Sequence, residues 1–163
     1  MNKQDILVLF QYNAWSNAKI LDAASNITQE QFLTPASFPH GGLRGTLVHA
    51  LSGEWIWRKR WEGIQQNPTL KPDEFPTIES LWARWANEES RLMNFVENLT
   101  EERLYSKIKY VSTEGYPHER ILWETMVHLV NHGTQHKTEA AAILTGLGHS
   151  PGDIDLIVYL NEG

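Results

Sequence analysis

Four long segments of this 163-residue chain repeat their apolar residues at the three-to-four-residue spacing of an α-helix. The pattern covers approximately residues 3–25, 43–62, 77–99 and 117–145. Thr77 is a suitable N-cap for the third segment, and Gly146 or Gly148 is expected to end the fourth. Since each segment has one apolar face to bury, the sequence predicts an all-α fold, an antiparallel four-helix bundle.

The segments between these helices are rich in turn-forming residues. Residues 34–42 form one such connection, and a second contains Pro68, Pro72 and Pro76. Alternating side chains in residues 107–116 predict a short hairpin before the last long helix, and residues 153–160 are expected to form a final helical turn. The whole chain, residues 1–163, is expected to be a single domain.

Composition and charge narrow the classes of partner. The formal net charge of −6 disfavours nucleic acid and anionic membranes, which both attract clustered Lys and Arg. No apolar run approaches the roughly 20 residues that span a bilayer, and the first residues do not resemble a signal peptide, so we expect a cytoplasmic protein. The chain has no cysteine, so any metal ion must be bound by His, Asp, Glu or carbonyl groups.

Three histidines recur at four-residue intervals in the fourth helix: His128, His132 and His136. Neighbouring pairs in this series share a helix face, but each four-residue step turns the side chain by about 40°, so all three cannot face one ion. A helical wheel places His136 nearest the apolar centre, His132 on its flank and His128 toward the polar face. The pattern therefore favours His132 and His136 as a metal-binding pair, with His128 as a neighbour.

A third ligand must come from another part of the chain, and the candidates are His40, His49, His118 and His149. Of these, His49 is the one inside a predicted helix, and Gly45 and Gly53 leave both adjacent turns without side chains. The wheel, however, places His49 away from the apolar stripe of its helix, so periodicity alone does not select it. The other three are expected to lie on surface loops.

Three blocks of sequence resemble the DinB-like (DinB/YfiT-like) metalloenzyme family over nearly the whole chain. They are residues 12–17 (Tyr-Asn-Ala-Trp-Ser-Asn), 47–51 (Leu-Val-His-Ala-Leu) and 130–136 (Val-Asn-His-Gly-Thr-Gln-His). The resemblance implies a four-helix bundle with a metal ion bound by His49, His132 and His136. It also implies a homodimer, and a function like that of thiol-dependent transferases and isomerases or of stress-induced proteins without an assigned reaction.

Three imidazole ligands leave a divalent ion with an open position, which favours a metal-dependent enzyme. Such a site activates water for hydrolysis, or binds a thiol as the nucleophile for group transfer. Because the chain has no cysteine, that thiol must be a low-molecular-weight cofactor acting on a small-molecule substrate. Imidazole suits several metals, with zinc or nickel expected here. The alternative is a non-enzymatic metal-binding protein of the stress response.

The sequence does not assign catalytic residues. Glu54 is a candidate general base, five residues beyond His49. It has the helical spacing for an ordinary salt bridge with Arg58, and we favour this interpretation.

Overall fold

The computed structural model describes residues 1–65 and 69–162, most of which are helical. Pro68 of the predicted proline-rich loop lies outside these ranges. The helices are α1 (Lys3–Ala24), α2 (Gln29–Leu33), α3 (Leu43–Trp61), α4 (Ile78–Glu97), α5 (Glu101–Leu104), α6 (Leu122–Gly146) and α7 (Leu156–Glu162), and the strands are β1 (Lys107–Val111) and β2 (Pro117–Ile121).

The first three predicted long helices are confirmed to within a few residues, and capping side chains explain where two of them begin. The Asn2 side chain accepts a hydrogen bond from the Asp5 amide at 3.0 Å, ahead of α1. The predicted cap Thr77 accepts one from the Ser80 amide at 3.2 Å, ahead of α4. Each cap satisfies a backbone N–H that has no partner inside its helix.

The four longest helices pack side by side in a closed cycle. Helix α1 contacts α4 and α6, and helix α3 contacts the same two helices from the other side. The buried apolar residues fall into two clusters, one including Leu47, Leu51 and Trp85 and the other including Phe10, Trp61 and Leu129. Their removal from water is the main driving force for this packing.

The predicted start of the fourth long helix at residue 117 is wrong. Residues 117–121 form β2, which pairs antiparallel with β1 from Lys107 opposite Ile121 to Val111 opposite Pro117. The Lys107 ammonium lies 2.8 Å from the Glu119 carboxylate across the hairpin. These cross-strand partners, 6 to 14 residues apart in sequence, outweigh the local helical signal of a proline at a helix start. The hairpin itself is confirmed.

Helix α6 ends at Gly146, one of the two predicted positions, and α7 occupies Leu156–Glu162, slightly later than predicted. Within the described ranges, no helix has the length and apolar character required to cross a membrane.

Candidate metal centre

Four histidines gather where α3 meets α6. His49 comes from α3, His132 and His136 come from successive turns of α6, and His40 comes from the loop before α3. The ring centroids of His49 and His132 are 5.1 Å apart, and His136 lies 4.5 Å from each of them. The structure therefore brings together the three residues predicted to bind a metal, from two different helices.

The nitrogen positions have the spacing of ligands to one ion. The Nε2 atoms of His49 and His132 are 3.2 Å apart. Two imidazole nitrogens at the usual bond length to zinc, with a tetrahedral angle between them, would be about 3.3 Å apart. Ligand nitrogens of His40, His49 and His136 also lie within 4.8 Å of one another. A small shift of these side chains would place several nitrogens around one cation.

The ring orientations favour His49, His132 and His136 over a set that includes His40. The three rings are inclined to one another by 47°, 80° and 67°, so none of them stacks face to face on another. His40 instead stacks on His49, with centroids 3.7 Å apart and planes only 14° apart. Lone pairs lie in the ring plane, so two stacked imidazoles cannot both point at one ion without one ring turning.

The surroundings of His49 and His132 do not resemble those of structural histidines. Within residues 1–65 and 69–162, the one hydrogen bond of either ring joins them to each other. The Nδ1 atom of His132 is buried, and no hydrogen-bond partner lies near it among the described residues. Buried polar atoms are normally satisfied, so a buried imidazole pair bonded only to itself, with one nitrogen unpaired, fits a site for a cation.

Both rings are neutral at physiological pH, as metal ligands must be. Burial, followed by the neighbouring His40 and His136, lowers the pKa of His49 to about 4. Burial, followed by His136 and His49, lowers the pKa of His132 to about 3. Protons therefore compete weakly with a metal ion for these two nitrogens.

Glu139 orients the third histidine. Its carboxylate accepts a hydrogen bond from Nδ1–H of His136 at 2.9 Å. Because a carboxylate only accepts, the proton sits on Nδ1 and the Nε2 lone pair is left for a ligand. Sequence reasoning missed Glu139. Its position one helical turn after His136 was the available signal.

His40 corrects the expectation of a surface loop histidine. It is half-buried and also lies 5.0 Å from His136, ring centroid to ring centroid. The loop that contains it is folded back by hydrogen bonds, including one from the Gly41 amide to the Phe38 carbonyl at 2.9 Å. Nothing in the local sequence reveals this, because the contact depends on how the loop returns to α3.

The two glycines beside His49 make room for the cluster. A Cβ atom at Gly53 would lie 3.0 Å from Nδ1 of His132 and 2.9 Å from Cε1 of the same ring. A Cβ atom at Gly45 would overlap the carbonyl oxygen of His40. The predicted gap on this face of α3 is therefore filled by the His132 ring beside Gly53 and by the backbone of His40 beside Gly45.

The remaining histidines lie outside this cluster. His128 is exposed, one turn before His132 on α6, and its ring centroid is 5.3 Å from that of Trp57. His118 lies on β2 against Tyr110, so its expected place on a loop is wrong, whereas His149 follows α6 in a loop as expected.

Glu54 lies in a buried hydrogen-bond network instead of the predicted salt bridge. It is buried, and its carboxylate accepts hydrogen bonds from the side chains of Asn13 at 2.7 Å, Asn17 at 2.8 Å and Trp85 at 2.9 Å. The predicted salt bridge between Glu54 and Arg58 is wrong. Arg58 instead pairs with Glu88 from α4 and with Glu62. Glu54 and Arg58 do have the helical spacing of an ion pair. Glu54 instead bonds to side chains of α1 and α4, and Arg58 bonds to Glu88 of α4.

A buried lysine completes this polar network. The ammonium group of Lys137 donates hydrogen bonds to Asn13 Oδ1 at 2.8 Å and to Ser16 Oγ at 2.6 Å. Asn13, Ser16 and Asn17 belong to the first of the three sequence blocks, so this block joins α1 to the two helices that present the histidines. A Cβ atom at Gly133 would lie 3.0 Å from Asn13 Oδ1, so α6 approaches α1 closely at this glycine.

A groove leads away from the histidine cluster. Its volume is about 360 Å³, within the usual range for small-molecule sites. His40, His49 and His132 line one end, and apolar side chains including Val48, Ile56, Trp57 and Leu70 line the walls.

Sequence comparisons agree with this description. The sequence model of the DinB family matches residues 1–162. The chain is also similar to Protein DinB of Bacillus subtilis (strain 168), with 21% identity over 162 residues that cover 93% of this chain and 91% of that protein.

Proposed function

Because this chain belongs to the DinB family, we propose that it is a divalent-metal-dependent enzyme whose ion is bound by His49, His132 and His136. Helices α1, α3, α4 and α6 are proposed to form the predicted four-helix bundle around this site. The observation that carries the proposal is the 3.2 Å separation of the Nε2 atoms of His49 and His132. It matches two ligands of one tetrahedral ion, and the His136 ring centroid lies 4.5 Å from those of both rings.

When bound, the ion would supply a Lewis acid with an open coordination position. The residues of the chain would do the remaining work. The neutral rings of His49 and His132 would bind the cation without first losing a proton. Glu139 would fix the ring of His136 with its proton on Nδ1, leaving Nε2 for the ion.

The adjoining groove supports an enzyme rather than a purely structural metal site. A cavity of about 360 Å³ that opens beside the imidazoles gives a small molecule direct access to the ion. We propose a thiol-dependent transferase or a hydrolase. In the first case a low-molecular-weight thiol would be the nucleophile, since the chain has no cysteine. Zinc or nickel is the proposed metal.

His40 favours a second candidate function. If its ring turned away from His49 toward the common centre, four histidines would surround the ion and close the site. Structural zinc sites usually have four protein ligands, so this arrangement would suit a non-enzymatic metal-binding protein of the stress response.

We also propose that the protein is a homodimer located in the cytoplasm. Sedimentation equilibrium should then give twice the chain mass of 18.7 kDa. A mass equal to one chain at micromolar concentration would contradict the dimer.

Elemental analysis of protein purified without a histidine tag tests the metal site. We expect about one divalent ion per chain in the wild type, and loss of the ion when His132 and His136 are both changed to Ala. His118→Ala, on β2, is the matched control and should retain the metal. Retention of the ion by the double variant would refute the site.

Activity assays separate the two candidate functions. Metal-loaded protein is mixed with a cellular thiol and a model electrophile, and separately with ester substrates. Turnover that disappears in His132→Ala supports the enzyme. Both candidates would be contradicted if no assay showed turnover although the ion was bound, and if His40→Ala bound the metal as tightly as the wild type. Weaker metal binding in His40→Ala without turnover would favour the non-enzymatic protein.

A further inference from the structure

One face of α3 forms a continuous side of the groove. The residues of this helix that line the groove recur every three or four positions, and they include Val48, His49, Ser52 and Ile56. Ser52 follows His49 by three residues, so their Cα atoms are about 4.5 Å apart along the helix axis. A ligand that lies along this face therefore meets Ser52 directly beside the proposed metal.

The Ser52 hydroxyl has an unused hydrogen-bond donor. The residue is only 5% exposed, and its oxygen accepts a hydrogen bond from the Leu70 amide at 3.2 Å. A serine hydroxyl can also donate one hydrogen bond, as Ser16 Oγ does to the Tyr12 carbonyl at 2.9 Å. Among the residues that the structure describes, the Ser52 O–H finds no such acceptor. Because buried donors are normally satisfied, this position suits an acceptor atom of a ligand.

The groove beyond Ser52 is apolar. Ile56 and Trp57 continue the α3 side, and Leu70 lines the groove from the loop after α3. Arg60 ends the groove as part of its wall, because its guanidinium carbon lies 4.8 Å from the Trp57 ring centroid and Nη2 donates to the Val111 carbonyl at 3.0 Å. A ligand that fills the groove therefore needs an apolar body.

From this arrangement we infer that the groove binds an apolar substrate that contains a carbonyl group. The carbonyl oxygen accepts a hydrogen bond from Ser52 Oγ–H, beside the proposed metal, and the apolar body lies against Ile56 and Trp57. A carbonyl oxygen only accepts hydrogen bonds, so it matches a site whose unused group is a donor. The inference rests on the proposed function in taking the groove as the substrate site.

Two ligands of similar size, acetophenone and ethylbenzene, test the inference, because acetophenone alone has a carbonyl group. Each is titrated into zinc-treated, isotope-labelled protein, and its dissociation constant is measured from the NMR shifts of the backbone amides. The Leu70 amide, which is bonded to Ser52 Oγ, reports binding in this part of the groove. We expect it to shift with acetophenone. Shifts confined to other parts of the protein would overturn the inference.

Three variants assign the carbonyl contact to Ser52. Ser52→Ala should weaken acetophenone binding about three- to tenfold and leave ethylbenzene binding unchanged. Ser52→Thr retains the hydroxyl and should retain the wild-type ratio of the two dissociation constants. Thr46→Val is the matched control, since Thr46 has a buried hydroxyl on α3, without a partner among the described residues, that does not line the groove. It should bind both ligands like the wild type.

The ratio separates a contact to the ligand from a structural role of Ser52. Loss of the bond to Leu70 alone would weaken both ligands alike, and acetophenone bound only at the metal would not respond to Ser52→Ala. Either result would overturn the inference. If circular dichroism shows that Ser52→Ala is unfolded, the wild-type Leu70 amide decides. A hydroxyl that donates to a ketone becomes a stronger acceptor, so acetophenone should move this amide proton downfield and ethylbenzene should not.

Zinc content, measured on the same samples, separates this inference from the proposed metal centre. Samples that contain no zinc after treatment and still show the effect of Ser52→Ala on acetophenone alone would refute the metal centre and leave the inference standing. Zinc-loaded samples in which Ser52→Ala changes the binding of neither ligand would do the reverse.

Discussion

The His132 ring is confined on two sides, by the backbone of α3 at Gly53 and by the ring of His49. The arrangement of the cluster therefore depends on the absence of a single Cβ atom. It also depends on neutral rings at His49 and His132 and on the Glu139 carboxylate, which fixes the tautomer of His136. These are effects at single residues, and each can be tested alone.

Gly53→Ala should separate metal affinity from fold stability. Alanine is favoured over glycine in a helix by about 1 kcal/mol. Its Cβ would, however, lie 2.9 Å from the His132 ring and displace it. We expect at least about tenfold weaker zinc binding, measured by competition with a chromogenic chelator, without loss of thermal stability. Gly146→Ala, where no atom lies within 4 Å, is the control. Unchanged zinc affinity in Gly53→Ala would contradict this role.

Glu139→Gln should weaken metal binding through His136. The amide accepts a weaker hydrogen bond than the carboxylate at 2.9 Å and holds the ring and its Nδ1–H tautomer less firmly. We expect about 10- to 100-fold lower zinc affinity in the same chelator competition. Glu124→Gln, in the first turn of the same helix, should bind zinc like the wild type. If both variants bind equally well, Glu139 does not support the site.

The metal-free protein should lose stability as the pH falls below about 6.5. In the unfolded chain His49 and His132 take up protons near the ordinary pKa of 6.5, whereas in the folded protein their pKa values are about 4 and about 3. The unfolded state then holds more protons across this window, so the free energy of unfolding decreases as the pH falls. Urea unfolding at several pH values should show a shallower decrease in His132→Ala. An equal slope in both proteins would contradict the lowered pKa of His132.

At the scale of whole elements, a buried polar network holds α1 against the two helices that carry the site. Asn13 is central to it, because its side chain donates to Glu54 from α3 and accepts from Lys137 from α6. Burial raises the pKa of the Glu54 carboxyl, while the hydrogen bonds and Lys137 oppose this. Burial likewise lowers the pKa of Lys137 to about 8.

Lys137→Met should destabilise the fold strongly, because it leaves the buried carboxyl of Glu54 without a nearby cation. The Lys137 ammonium also donates to Asn13 and Ser16, and leaving buried acceptors unpaired costs about 1–3 kcal/mol each. Adding Glu54→Gln to Lys137→Met should cost less than the sum of the two single changes, as urea unfolding would show. Simple additivity would mean that the two groups do not interact.

The sequence predicted where the long helices lie, but it predicted their first and last residues only in part. Apolar spacing and the Thr77 cap predicted α1, α3 and α4, since these signals are local. The start of α6 was misplaced because β2 is stabilised by pairing with β1. A strand of that length depends on its partner, which no short window of sequence contains.

At the scale of the whole molecule, the site combines predictable and unpredictable parts. The wheel order of His136, His132 and His128 agrees with their increasing exposure in α6. His49 was selected by family resemblance, because the helical wheel placed it away from the apolar stripe of its helix. His40 was missed, and Glu54 and Arg58 were misassigned. In each case the partner lies on a separate element and is set by the packing of α1, α4 and the loop before α3.

The most direct test of the central claim is an anomalous-difference map from crystals of zinc-loaded protein. We expect one strong peak per chain, at bonding distance of about 2.0–2.1 Å from an imidazole nitrogen of His49, His132 and His136. A peak elsewhere, or at this cluster without contact to His132, would contradict the proposed metal centre.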